Sequence, residues 1–420
     1  MRDQAAKVLD RNWTGHSTVP SRSLYPHQWS WDSAFISIGL RHVSVGRAHT
    51  ELESLLQAQW PDGRIPHIAF APDVPRDAYF PGPDFWQARL ASGTETSGIV
   101  QPPIHALAAW LTHQADPAES ARHGFLQRVY PGLVAWHGYL RDRRTIGAAG
   151  LVAIVHPWES GMDNSPAWDS PLARVTPAPA GSFTRRDTDH GAAADRPTDL
   201  DYGRYVQLAA TYRDHGYDDH ETPHAFAVED PCFNALLICS EHALAEIAAT
   251  LGHDPEPHRR YAAALTDALV SRLFGNGIFR SLDLLTGDLV PADTVAGLIP
   301  LAVPGLPVAD ALLATAVGPR FRLGETRLVP SYDLTADDFD AGRYWRGPSW
   351  FNTAWLIHRG LVQLGQTAHA DALRADLLTL AQSTDFAEYV DPFTGEAHGA
   401  RSFSWTAALA LDLGSTGKRS

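Results

Sequence analysis

Cysteine is nearly absent from this chain: Cys232 and Cys239 are its two examples, seven apart in a helical pattern. They share a helix face as buried thiols, and neither a CxxC pair nor a Cys/His metal spacing accompanies them. A disulfide framework and a zinc site are therefore not expected. Long apolar runs are missing too. No stretch approaches about 18 apolar residues, and the N-terminal MRDQAAKVLDRNW is charged where a secretory signal needs an apolar segment. The expected location is cytoplasmic, with no membrane partner. Basic charge is also in deficit: 34 Lys plus Arg stand against 48 Asp plus Glu, a formal net charge of −14. The scattered basic residues form no stripe that could track phosphates, which argues against nucleic acid. The same deficit offers no long-range attraction for an anionic substrate, so any anion has to be held by a local arginine. Strand-like alternation is rare, and only IFRSLDLLTGDLV at 278–290 suggests a hairpin, with Thr286-Gly287 in its turn.

What remains is helix after helix. Hydrophobic residues at 44% and charged residues at 20% describe a globular chain. AFISIGLRHVSV, IHALAAWLTHQ, CFNALLICSEHALAEIAATLG, WFNTAWLIHRGLVQLG and SWTAALALDL, among others, space apolar residues three and four apart, with Pro or Gly at nearly every joint. About a dozen such segments without obvious linkers predict an all-α fold, one helical toroid spanning residues 1–420. Alternate loops of a toroid open on one end, where they converge on a pocket.

Eleven of the thirteen tryptophans fall into two groups. Trp110, Trp136 and Trp355 lie mid-helix and read as core. Trp29, Trp31, Trp86, Trp158, Trp168, Trp345, Trp350 and Trp405 lie in or beside Pro/Gly-rich loops or at helix starts. The densest stretch is HPWESGMDNSPAWDS, His156 to Ser170, where Glu159, Ser160, Asp163, Asn164 and Ser165 sit between two tryptophans. Pro157, Gly161 and Pro166 break any regular element there. Indole faces beside polar groups suit a sugar ring, the alternative being a loop whose tryptophans fill the core.

Other loops repeat this composition. In LYPHQWSWDSAF, Asp32 follows Trp29 and Trp31 and is either a helix N-cap or a ligand for sugar hydroxyls. Tyr79 and Gly82 belong to a long irregular segment, either a mobile lid or a plain surface loop. Gln101 precedes a Pro-Pro helix start, where an amide binds hydroxyls or caps backbone. In RPTDLDYGRY, Arg196 and Tyr202 are the best candidates for gripping a carboxylate, since guanidinium and phenol donors suit that geometry; surface salt bridging is the alternative. GRYWRGPSW brings Tyr344, Trp345 and Trp350 to a helix start. EYVDPFTGEAHGARSFSW places Glu396 between two glycines, a setting that presents a carboxylate to a ligand.

The order QWSWDSAF, IVQPPIHA, HPWESGMDNSPAWD, RPTDLDYGRY, VEDPCFNALL, YWRGPSWFNTAWL and EYVDPFTGEAHGARSFSWTAAL resembles the bacterial mannosylglycerate and glucosylglycerate hydrolases of glycoside hydrolase family 63. The resemblance covers residues about 20 to 412, and seven motifs in order are far more specific than WDSAF alone, which trehalases share. It implies an (α/α)6 barrel with long active-site loops, and an inverting carboxyl pair with Asp163 as acid and Glu396 as base. It also implies that Trp29, Trp31, Asp32, Gln101, Trp158, Gly161, Trp345 and Trp350 line a sugar subsite. Arg196, Tyr202, Tyr79 and Tyr344 would face the glycerate, with Gly82 in the same loop as Tyr79. The segment Pro171 to Ala194 matches weakly.

Inversion needs a protonated carboxyl at the glycosidic oxygen and an ionised one across the ring, roughly 6.5–9.5 Å away, so that water fits between. Burial and a like charge, Glu159 being the nearest in sequence, would raise the pKa of Asp163; Glu396, near His398, would stay ionised. Indole faces at Trp158, Trp345 and Trp350 would hold the sugar. The expected activity is inverting hydrolysis of an α-glucosyl- or α-mannosylglycerate, without metal or organic cofactor. The expected partner is a small sugar substrate carrying a carboxylate, and a homo-oligomer stays open. The rivals are a trehalase-like hydrolase of a neutral disaccharide, a histidine-dependent sugar epimerase and a sugar-binding toroid without catalysis.

Overall fold

A computed structural model describes residues 1–188 and 193–415. Among these, twelve helices have nine residues or more: α1 (Arg2–Asn12), α2 (Ser30–Leu40), α3 (Val45–Gln57), α4 (His105–Ala115), α5 (Phe125–Arg143), α6 (Asp199–Asp214), α7 (Pro231–Leu251), α8 (Glu256–Leu273), α9 (Ala309–Val317), α10 (Phe351–Gln363), α11 (Thr367–Ser383) and α12 (Ser404–Ser415). The helical periodicity is thus realised along the chain. Residues 189–192, within the weakly matched segment 171–194, lie outside the described residues.

The helices pack in a closed circuit. Helix α2 packs on α4, α4 on α7, α7 on the 3-10 turn Ile299–Ala302, that turn on α10, α10 on α12, and α12 back on α2. Each member has a partner behind it: α3 on α2, α5 on α4, α8 on α7, α9 on the turn, α11 on α10 and α1 on α12. Sequence composition sorts the two layers. All eleven residues of α2 are buried, whereas α3 buries only the face carrying Ala48, His49, Glu51, Leu52 and Leu55. A helix covered on every side has to be apolar all round, and one covered on one side has to be amphipathic.

Helix α7 illustrates the point. By length and composition it is apolar enough to cross a membrane, contrary to the expectation that no stretch comes close, yet most of it is packed inside the protein. Asn234, Ser240 and Glu241 interrupt its apolar run, and each is hydrogen-bonded. Cys232 and Cys239 lie on α7 as free, buried thiols, as expected.

Short β-ribbons guard one end of the circuit. Gln28–Trp29 pairs antiparallel with Ile68–Ala69 immediately before α2; Val228–Glu229 pairs with Ala153–Ile154 and Leu282–Asp283 just before α7. Ser349–Trp350 pairs with Tyr389–Val390 immediately before α10, and Tyr389–Val390 pairs onward with Ala397–His398. The expected hairpin also forms, with Leu282–Asp283 opposite Asp288–Leu289. These ribbons satisfy the backbone of long loops at the N-terminal ends of the inner helices, so side chains there are held as firmly as in regular elements.

Candidate active site

The loop from His156 to Ser170 is folded by its own polar groups. Pro157–Ser160 forms a 3-10 turn in which the Ser160 hydroxyl donates to the Pro157 carbonyl (2.6 Å) and His156 Nδ1 accepts from the Trp158 amide (3.0 Å). Gly161 then takes φ +71°, and a Cβ there would lie 2.4 Å from the Trp31 ring, so only glycine lets the chain turn against that indole. The indole nitrogen of Trp168 donates to the Met162 carbonyl (2.7 Å), the Tyr205 hydroxyl to the Asp163 carbonyl (2.7 Å) and the Trp345 amide to Asn164 Oδ1 (3.0 Å). The backbone of Asp163 is thereby fixed from both sides while its carboxyl is left to the cleft.

Glu159 holds this loop from beneath. Fully buried, it takes two bonds from Arg144 (2.7 and 2.8 Å) and one each from the amides of Val155 and Val100. Arg144 also bonds Asp219, which accepts from Tyr139 and Tyr212. Removing one partner of such a pair strands a buried charge. Arg144→Met is expected to lower unfolding stability by about 3–5 kcal/mol, read from urea denaturation. This use of Glu159 also corrects its expected part in the titration of Asp163.

One cleft gathers residues from five loops. It is lined by Trp29, Trp31, Asp32, Tyr79, Gln101, Trp158, Gly161, Asp163, Tyr344 and Trp350 among the expected residues. Pro20, Tyr25, His67, Glu388, Phe403 and Trp405 complete it and were not foreseen as site residues. Four of the cleft's five tryptophans share one placement, at the start of an inner helix: Trp29 and Trp31 open α2, Trp350 precedes α10 and Trp405 opens α12. Asp32 is in the first turn of α2, two residues past its start, and so is not an N-cap. Its carboxyl is buried and its pKa is raised by that burial and by the charges of Glu388 and Glu51. Gln101 accepts from the Trp31 amide (3.2 Å), the backbone role of the two expected alternatives, and it also lines the cleft.

Glu396 does not reach this cleft. Tyr389–Val390 and Ala397–His398 form a hairpin, and Glu396 is exposed in its turn, where its amide donates to Thr394 Oγ1 (3.1 Å). The glycine-flanked setting that singled it out is the signature of that turn. Glu388, at the inner end of the same hairpin, lies in the cleft instead, 1% exposed. Its Oε1 accepts from the Tyr25 hydroxyl (3.0 Å) and its Oε2 from the Ala400 amide (2.9 Å), with Arg196 Nη2 3.9 Å away. Gly399 makes this possible: φ is +66°, and a Cβ would stand 2.4 Å from Glu388 Oε2. The clue available in the sequence was position, since Glu388 directly precedes the strand-like Tyr389–Val390 while Glu396 belongs to the turn that follows it.

The two carboxyls differ in surroundings. Burial pushes Asp163 up to about 7, against the pull of Arg196, with Asp187 and Glu388 adding like charge. Burial raises Glu388 as well, but Arg196, the Ala400 amide and the Tyr25 hydroxyl all favour its ionised form. Such a pair divides naturally into a proton donor and a proton acceptor.

Several expected residues stand one layer back. Arg196 is buried, donates to the Tyr25 hydroxyl (3.2 Å) and lies 4.4 Å over the Tyr344 ring. Tyr25 passes that contact on to Glu388. Tyr202 spends its hydroxyl on the Phe80 carbonyl (2.9 Å) and packs edge-on against Trp158. Trp345 stacks on Trp350 at 3.9 Å, and Tyr389 stacks on Trp350 at 4.5 Å. Trp350 thus reaches the cleft with part of its indole engaged by its neighbours, and Trp345, packed behind it, is not in the lining. Gly82 lines an outer vestibule of about 390 Å³, which Tyr79 shares with the cleft. His67, stacked parallel to Trp158, is held neutral by burial at about 3, and its Nδ1 has no hydrogen-bond partner among the described residues.

Residues 25–406 match the model of the mannosylglycerate hydrolase MGH1-like glycoside hydrolase domain. The chain belongs to this glycoside hydrolase family. Among its relatives, a mannosylglycerate hydrolase of Rubrobacter radiotolerans is 41% identical, over 98% of this chain and 96% of that protein. A glucosylglycerate hydrolase of Mycolicibacterium hassiacum is 39% identical, over 97% and 96%. The crystal structure of the family 63 mannosylglycerate hydrolase from Thermus thermophilus with Tris and D-glycerate superposes with a TM-score of 0.90 at 40% identity, over 98% of this chain and 99% of that one. The neutral trehalase of Saccharomyces cerevisiae, at 14% identity and a TM-score of 0.59 over 94% of this chain and 72% of that one, shares the fold. Membership of a glycoside hydrolase family sets aside the epimerase and the sugar-binding toroid without catalysis.

Proposed function

We propose that this glycoside hydrolase cleaves 2-O-α-glucosylglycerate or 2-O-α-mannosylglycerate to hexose and glycerate with inversion, using Asp163 as general acid and Glu388, in place of Glu396, as general base. The observation that carries the reading is the presence of Asp163 and Glu388 in the lining of one aromatic-walled cleft, with the buried Arg196 near Glu388. In this reading the whole chain is a single (α/α)6 barrel, with the substrate entering at the N-terminal ends of its inner helices.

Asp163 gives its proton to the glycosidic oxygen as the bond to the anomeric carbon breaks. Glu388 takes a proton from a water that attacks the opposite face, and the Arg196–Tyr25 contact holds its charge in place. Asp32 and Gln101 bind sugar hydroxyls, while Trp31, Trp158 and Trp405 exclude bulk water. The cleft itself encloses only about 60 Å³, less than a hexose occupies, whereas the adjoining vestibule is several times larger. Tyr79 stands between the two, so its side chain has to swing aside as substrate passes inward.

Proton NMR of released sugar from a panel of glucosylglycerate, mannosylglycerate, glucosylglycerol, kojibiose and trehalose tests the reading. A glycosylglycerate is expected to be cleaved best, with the β-anomer appearing first. Preference for a neutral disaccharide would favour the trehalase-like alternative. Arg196→Ala is expected to raise KM for the glycosylglycerate by roughly 10–100-fold, the loss of a charge-assisted contact. It also lowers kcat on every substrate, because Tyr25 and Glu388 lose their cation. An equal change of KM on glucosylglycerol and glucosylglycerate would show that Arg196 does not read the carboxylate.

A further inference from the structure

The inner helices have a second end. The cleft is built on their N-termini; at their C-termini lies a cavity of about 510 Å³, within the range of small-molecule sites. Arg41 enters it just past the end of α2, Arg359 and Val362 from the last turns of α10, and Asp412 from the last turn of α12. An inner helix of eleven residues separates the two sites by about 15 Å of rise.

The charges in this cavity are unequally paired. Arg41 is fully engaged, with Asp412 at 2.6 Å and the Leu111 carbonyl at 2.7 Å, and His42 and Trp355 occupy the rest of Asp412. Arg374 uses its Nε on the Leu413 carbonyl (2.8 Å), and its two terminal nitrogens have no partner among the described residues. Arg359 has neither a carboxylate nor a carbonyl among them: its described contact is the Trp355 ring, 5.1 Å from the guanidinium carbon. The neighbouring His358 Nδ1 is buried and equally without a partner. Arg41 and Arg374 are accounted for in part as caps on helix C-terminal carbonyls; Arg359 is not.

A half-buried guanidinium left unpaired costs free energy that an anion would recover. Asp371, exposed at the rim on α11, is the remaining acidic side chain in the lining and makes no bond to either arginine. Two guanidiniums that lack an ion pair among the described residues, Arg359 feeling Asp412 only at longer range, therefore share one cavity in a chain whose net charge is −14. The apolar counterpart is Val362, 58% exposed at the same mouth, beside the edge of Trp355. Two forks matched to a dianion, next to a small apolar platform, describe a phosphate monoester better than a monocarboxylate.

We propose that this cavity binds a small phosphate-bearing anion, with Arg359 and Arg374 on the phosphate and Trp355 and Val362 against the body it carries. It neither uses nor requires the reaction assigned to the cleft.

The full chain is titrated calorimetrically, in phosphate-free buffer, with inorganic phosphate and with glucose 6-phosphate. Arg359→Met, Arg374→Gln and, as a control in the cleft, Arg196→Gln are titrated alongside. At least one probe is expected to bind, about tenfold or more weaker to Arg359→Met and to Arg374→Gln, and unchanged to Arg196→Gln. The tighter probe tells the free ion from the ester. Without ligand, Arg359→Met keeps or raises the Tm, since it removes an unpaired charge, but it loses the rise in Tm that the ligand gives the parent protein. No binding of either probe up to about 10 mM, undiminished binding to both arginine variants, or loss of binding in Arg196→Gln would each overturn the proposal.

Discussion

Glu388→Ala is expected to lower kcat on glycosylglycerate roughly a thousandfold or more, within the range a positioned general base contributes, whereas Glu396→Ala keeps turnover within about twofold of the parent enzyme. The contrast follows from placement: Glu388 is buried in the cleft with two hydrogen-bond donors and a nearby guanidinium, and Glu396 is exposed in a hairpin turn. Chemical rescue separates a base from a merely structural glutamate. Azide fits the space left by the carboxylate and needs no deprotonation, so it should restore turnover of Glu388→Ala and yield a β-glycosyl azide. Wild-type activity in Glu388→Ala, or a crippled Glu396→Ala, would return the role to Glu396.

Asp163→Asn is expected to cost a comparable factor on glycosylglycerate and much less on a 2,4-dinitrophenyl glycoside, whose leaving group needs no proton. The pH dependence has a definite sign. Asp163 has to be protonated, and burial pushes it up to about 7, so kcat falls as pH rises through about 7. Glu388 has to be ionised, and its pKa lies above the usual carboxylate value, which sets the acid limb. Asp163→Asn should abolish the alkaline limb with the activated substrate. Stability moves with the same group. A carboxyl whose folded pKa exceeds its unfolded one favours folding below the unfolded value and loses that contribution as pH rises through the folded value. The amide should therefore raise Tm at pH 8 relative to the parent and have little effect at pH 4, measured by calorimetry. An alkaline limb that survives in Asp163→Asn would assign it to another group.

The two arguments show where sequence reasoning was sharp and where it slipped. Asp163 lies in the cleft as its loop composition suggested: proline, glycine and two tryptophans shape the turn locally through bonds within 156–168, and Tyr205, Trp345 and Arg144 then hold it from outside. Glu396 was chosen by the same logic of glycines and a carboxylate, but a hairpin turn has that composition too. Which of two glutamates eight residues apart faces inward depends on strand pairing with Trp350 and on a backbone amide at Ala400. Trp345 was likewise expected in the cleft and instead stacks behind Trp350, because such stacking is a matter of packing beyond the local loop.

By itself the sequence determined the helical architecture, the grouping of aromatic loops and the local turn that carries Asp163 into the cleft, since helical periodicity, turn chemistry and local loop closure act over a few residues. The closed circuit of helices decided the rest: the presence of Glu388 in the same cleft as Asp163, the coupling of Arg196 through Tyr25 to Glu388, and the arginines at the far end that have no carboxylate among the described residues. Those depend on which side chains meet across hundreds of residues, and the cost of burying a charge is set only by what surrounds it once the chain has folded.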